Sequence, residues 1–205
     1  MKRTTIALLA ALAATPMAAN ADDLSYTWLE AGYLRSDRDS LGSGNGVALR
    51  GSGAITDNLH AFAAYERSNQ DSADLSNWRI GVGYNLAVSD NVDLVARVGY
   101  EKADYDLLGD GNGYGIEVGV RAALGSNFEA SAGVRHADLN LDSNTVCVAV
   151  VPTPPACRFS ADEDGGNTAF FVGGQYKFNP QWGVVAEASF SSNDNRVFVG
   201  PRISF

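Results

Sequence analysis

Beyond its first twenty residues the chain lacks any long apolar run. No later stretch approaches the roughly 18 consecutive apolar residues that a membrane helix requires. Cysteine is nearly absent, with Cys147 and Cys157 alone. Their spacing is too wide for a CxxC redox pair, and two thiols are too few for a zinc site. Basic residues are short: 15 Lys and Arg stand against 24 Asp and Glu. A phosphate backbone needs a basic face, so no nucleic-acid partner is expected. Acidic fragments such as Asp104-x-Asp106, Asp110-Gly-Asn112 and Asp162-Glu163-Asp164-Gly165 do not fit the twelve-residue calcium loop. No metal and no cofactor is expected.

What is present begins with an export signal. Lys2 and Arg3 precede an apolar run from Ile6 to Ala14, Pro16 breaks it, and Ala19-Asn20-Ala21 offers a small-x-small cleavage site. Residues 1–21 are expected to be a signal peptide and residues 22–205 one folded domain. Loss of Lys2 and Arg3 takes the net charge from −9 to −11. In an exported chain, Cys147 and Cys157 are expected to form a disulfide across a Pro-rich loop.

From Leu24 onward the sequence alternates with period two, interrupted by turn residues. Ten strands are expected: 24–34, 45–55, 59–68, 76–86, 92–102, 113–124, 128–137, 168–178, 182–191 and 196–205. Each has about the 9–11 residues of a tilted membrane strand. Four connections are tight: Thr56 to Asn58, Val88 to Asn91, Gly125 to Asn127 and Asn179 to Gln181. The other five are expected to be longer and acidic, the longest running from Asp138 to Asn167. Short turns at one end and long loops at the other describe a transmembrane barrel. Without helices, a closed barrel is the remaining way to satisfy every backbone group in lipid. The final segment alternates and ends on Phe205, which resembles the C-terminal strand signal by which outer-membrane barrels are recognised for insertion. The expected fold is all-β: a closed antiparallel up-and-down transmembrane β-barrel of ten strands, with eight as the alternative. A soluble sandwich is disfavoured because glycines and paired charges share the face opposite the apolar one.

The apolar face, such as Trp78, Ile80, Val82, Tyr84 and Leu86, is expected to meet lipid. Aromatics near strand ends, among them Tyr26, Tyr33, Trp78, Tyr100, Tyr114 and Trp182, suit interfacial girdles. The opposite face carries both signs: Glu30, Arg50, Arg79, Arg97, Glu117, Arg121, Glu129, Arg135, Glu187 and Arg202 form an expected lumen charge network. Hairpin pairing sets Glu30 opposite Arg50 and Arg97 opposite Glu117, and facing opposite charges stabilise strand pairs. A barrel of ten strands is barely wider than the eight-stranded kind that side chains fill, so a salt-bridge plug is favoured over an open pore. His136, with Asp138 two residues on, suggests a rim hydrolase, but no nucleophile or orienting acid is fixed beside it. Both His60 and His136 read as satisfied or interfacial histidines, and no catalytic residue is assigned.

Several segments look familiar: Leu24-Ser-Tyr-Thr27, Trp78-x-x-Gly-x-Gly-Tyr84, Asn112-Gly-Tyr114, Lys177-Phe-Asn-x-x-Trp-Gly183 and Val199-Gly-Pro-Arg-x-Ser-Phe205. Through them the whole chain resembles the Ax (activator of plant immunity) family of small outer-membrane barrels, within the OmpA/OmpX-like group. The resemblance implies the barrel fold and the bacterial outer membrane, and supplies no catalytic residues. The loop between Cys147 and Cys157 departs from the family pattern.

The function expected is non-enzymatic: a structural and surface-interaction role in the envelope, with a plugged lumen. A narrow diffusion channel is the alternative, and a rim lipid hydrolase or protease comes third. Expected partners are outer-membrane lipid, lipopolysaccharide, the barrel assembly machinery during insertion, and an extracellular partner through the loop Asp138 to Asn167.

Overall fold

The computed structural model describes residues 24–38, 42–70, 74–105, 109–142, 147–148, 156–157, 166–192 and 194–205. The expected signal peptide lies outside them. Twelve strands follow in chain order: β1 (Trp28–Arg38), β2 (Gly42–Ala54), β3 (Leu59–Gln70), β4 (Asp74–Ser89), β5 (Val92–Tyr105), β6 (Gly109–Ala123), β7 (Phe128–Asp142), β8 (Cys147–Val148), β9 (Ala156–Cys157), β10 (Asn167–Lys177), β11 (Trp182–Ser191) and β12 (Asp194–Ser204). Ten close into one antiparallel barrel in the order β1-β12-β11-β10-β7-β6-β5-β4-β3-β2, while β8 and β9 pair as a separate two-stranded unit. Neighbours in the ring are neighbours in sequence, apart from the β1–β12 seam and the β8–β9 detour. This is the up-and-down arrangement that leaves no sheet edge unpaired.

Alternation decides the faces. Outward residues are large and apolar: Ile80, Val82, Val118, Val172 and Tyr114 are all exposed. Along β6 and the residue after it, this face runs from Tyr114 through Ile116, Val118 and Val120 to Leu124. Ten steps along the strand at about 3.3 Å each, tilted by about 40°, cover about 25 Å of height, the apolar thickness an outer membrane requires. Trp78, Tyr100 and Tyr114 touch in sequence around the upper rim, with centroids 5.6 Å apart at each step.

The lower rim is built from turns that bind their neighbours. Asn58, Asn91 and Asn127 each close a tight turn. Their backbone carbonyls accept from the N–H groups of Asn85, Ala123 and Lys177 at 2.7–2.9 Å. Their side-chain amides donate to the carbonyls of the same three residues, at 2.9, 3.2 and 2.9 Å. Each hairpin is thereby tied to the next one around the ring. Gly125 takes φ +80° in one of these turns, a conformation that favours glycine.

Two sequence expectations are corrected. The first strand starts at Trp28, not Leu24, and ends at Arg38. Much of the sequence expected as long acidic loops is strand. Backbone pairing continues to Arg38↔Gly42, Asn69↔Asp74 and Tyr105↔Gly109, and β7 runs to Asp142. Above the aromatic rim no lipid demands an apolar face. The alternation fades from the sequence there while the hydrogen-bonded ladder continues. The longest connection is accordingly 143–166 rather than Asp138 to Asn167.

Candidate functional site: the charged lumen

Inward positions alternate between glycine, small residues and charges, so long side chains have room to reach toward the axis. Gly115 shows the need: a Cβ there would lie 2.2 Å from Glu101 Oε1. At mid-height Arg50 on β2 is the hub. Its Nη1 donates to Glu187 at 2.8 Å and its Nη2 to Glu66 at 3.0 Å, while Glu30 stands 3.7 Å away. The guanidinium also lies 4.3 Å over the ring of Phe198, which is 1% exposed. Glu30 is held more closely by Arg202, whose Nε donates at 2.9 Å and whose Nη1 reaches Gln175.

On the far wall Arg97 donates to Glu117 at 2.9 Å, and Arg79 approaches the same carboxylate at 3.6 Å. Arg135 donates to Glu101, a carboxylate that is 1% exposed. Nearer the turn end, Glu129 accepts from Arg121 at 2.7 Å and pairs with Lys177 at 2.6 Å. All ten charges expected in the network face inward and pair. Burying a charge costs several kcal/mol unless a partner compensates it, and the interleaving of signs supplies those partners. Between them remains a polar cavity of about 130 Å³, roomy enough for ordered water.

Several members of the network escaped sequence reasoning. Arg196 binds both Glu66 at 3.1 Å and Asp194 at 2.6 Å, and Asp194 also accepts from Arg38. Arg196 has the same parity as Arg202, which was the available signal. Tyr26 was expected in a girdle, and the structure corrects this: it precedes β1, turns into the lumen and is only 7% exposed. His60 is fully buried beneath it. Arg97 Nε donates to His60 Nε2 at 3.1 Å, so the ring is neutral with its proton on Nδ1, facing Asn85 Oδ1 at 3.4 Å.

His136 sits on the outward face at the upper rim. Its Nδ1 is 2.8 Å from Thr168 Oγ1 and its Nε2 is 3.4 Å from Asp138. Among the described residues no group of three metal-ligating side chains converges. Register sets Cys147 opposite Cys157 on β8 and β9. Their side chains, and with them the expected disulfide, lie outside what the structure describes. Phe205 donates its backbone N–H to Thr27 at 2.9 Å, beside the β1–β12 seam.

A closed ring of strands with an apolar exterior, aromatic rims and a charged interior is a transmembrane barrel, and the chain is an outer-membrane protein. It belongs to the outer membrane protein beta-barrel domain family, whose model matches residues 4–151. No curated protein sequence matches it. Solved structures similar to it include Neisserial surface protein A, at 19% identity and a TM-score of 0.41, over 88% of this chain and 98% of that one. The KdgM porin in complex with disordered oligogalacturonate is 12% identical, with a TM-score of 0.44 over 87% and 99%. Ail, the attachment invasion locus protein of Yersinia pestis, is 10% identical, with a TM-score of 0.40 over 89% and 100%.

Proposed function

We propose that this protein is a non-conducting, non-enzymatic barrel that serves the envelope as a rigid wall element and presents the 143–166 connection to the exterior. One observation carries the reading. Arg50 on β2 pairs with Glu187 on β11, beyond β1 and β12, as well as with Glu66 on the adjacent β3, so the Glu187 pair runs through the lumen rather than along the wall. A solute would have to break that bridge to pass. Lipopolysaccharide and outer-membrane lipid are the partners of the apolar belt, and the barrel assembly machinery is the partner during insertion. An extracellular partner binds through the 143–166 connection. Within the barrel family, the motifs Trp78-x-x-Gly-x-Gly-Tyr84 and Val199-Gly-Pro-Arg-x-Ser-Phe205 support the Ax group as the nearer affiliation.

The test is conductance of the refolded chain, Asp22 to Phe205, in a planar bilayer. Silence from inserted protein is expected. Stable unitary steps, altered by Arg97→Gln or Glu117→Gln, would instead establish a narrow channel, the reading that the polar cavity favours. Deleting Val146 to Arg158 is expected to abolish surface binding while the barrel still folds.

A further inference from the structure

We propose that the segment Leu24–Thr27 is a plug that closes the periplasmic mouth of the barrel, with the Tyr26 side chain as its stopper. The segment precedes β1, and from it the Tyr26 side chain reaches into the opening. Its contacts come from strands spread around the ring. Tyr26 stacks on His60 of β3, with ring centroids 4.7 Å apart and planes at 26°. Its hydroxyl donates to Asp93 of β5 at 2.8 Å. Arg121 of β6 lies 4.7 Å from the centroid of the same ring and donates to the Ser25 carbonyl at 3.1 Å. In the ring of ten, β6 stands diametrically opposite β1. Tyr26 from the β1 side and Arg121 from the opposite wall together bridge the mouth.

The plug is also latched at the seam. The Ser25 hydroxyl is 3.2 Å from the Phe205 carbonyl, and the Phe205 N–H donates to Thr27. These partners come from β3, β5 and β6 on one side and from the residue after β12 on the other, so the complete seat draws on both sides of the ring. Burial raises the Tyr26 phenol above its ordinary range, and the hydrogen bond to Asp93 acts in the same direction. The hydroxyl therefore stays a donor across physiological pH. This seal shares Arg121 with the charged layer above it, and His60 links it to Arg97 of that layer.

The chain holds two histidines, and these supply the test. His60 lies fully buried under Tyr26, while His136 is exposed on the outer surface and serves as the internal reference. Folded protein in micelles is treated with diethyl pyrocarbonate, and modification of each histidine is followed by peptide mass spectrometry. In the unaltered chain His136 is expected to react and His60 to stay protected. Tyr26→Ala is expected to raise the His60 rate, relative to His136, by about tenfold or more, as local opening replaces burial. Tyr26→Phe, which keeps the stacked ring, is expected to preserve protection. Should Tyr26→Ala fail to fold, Asp93→Ala loosens the same seat and is expected to raise the rate by about threefold. Unchanged protection of His60 in folded Tyr26→Ala, or in Asp93→Ala if only that variant folds, overturns the proposal.

Discussion

Arg50 on β2 and Glu187 on β11 meet at 2.8 Å although β1 and β12 stand between them in the barrel wall. Glu30, the register neighbour of Arg50, is farther away at 3.7 Å. The preferred partner lies along a chord of the ring rather than beside Arg50 in the sheet. Because the lumen is narrow, long side chains from separate strands reach one another, and the carboxylates of Glu66 and Glu187 share one guanidinium.

Replacing that hub should cost more than replacing any one of its partners. Arg50→Met leaves Glu66 and Glu187 enclosed without it and is expected to destabilise the barrel by about 3–5 kcal/mol. Glu187→Gln is expected to cost about 1 kcal/mol, since Arg50 keeps Glu66. Urea unfolding in lipid vesicles, read by tryptophan fluorescence, measures both. Equal costs would show that the bridge is not the hub.

Gly83 is a contact requirement rather than a turn. A Cβ there would lie 2.3 Å from His60 Nε2. Gly83→Ala is therefore expected to lose about 1–3 kcal/mol through overpacking. In a double-mutant cycle with His60→Ala, the combined cost should fall below the sum of the single costs. Strict additivity would separate the two residues.

The asparagine ties of the lower rim make a chemical distinction. Asn127→Ala should cost about 0.5–1.5 kcal/mol through loss of the hydrogen bond to the Lys177 carbonyl. Asn127→Asp should do no better, because an ionised carboxylate cannot donate to that carbonyl. Stability restored by Asp would contradict the assigned direction of the bond.

Depth in the membrane should grade the cost of an outward charge. Val118→Arg, near the middle of the apolar belt, is expected to cost about 2–4 kcal/mol. Tyr114→Arg, at the aromatic rim, is expected to cost about 0–1 kcal/mol. Folding titrations into vesicles of fixed thickness compare them, and a reversed order would misplace the belt.

The polar strand ends above the rim make a prediction about protection. Ala103 pairs with Gly111 and Asp104 with Asp110, in stretches whose composition reads as loop. Their amides should exchange with solvent deuterium far more slowly than those of an unpaired loop. Lys102 is solvated between Asp104 and Asp110, which raise its pKa. Lys102→Ala should leave the unfolding midpoint unchanged.

Much of the site was legible before the fold. Arg97 and Glu117 were recognisable as facing charges from hairpin counting, and they pair at 2.9 Å. Tyr26 was misread because an aromatic near a strand end looks alike whether it turns to lipid or to the lumen. Arg196 was overlooked because its neighbours Val197 and Val199 dominate the outward face of that strand.

What the sequence determined by itself is local. Period-two alternation assigns each residue of a strand to one face, turn residues divide the chain into hairpins, and successive hairpins give an up-and-down order. These follow from backbone geometry and from the demand that lipid-facing groups be apolar. Closure of the ring decided the rest: that Arg50 finds Glu187, that Tyr26 crosses to Arg121, and that polar segments beyond the lipid remain strands. Contacts across the lumen depend on ring circumference and on the stagger between strands. Those are properties of ten strands together, which no single hairpin carries.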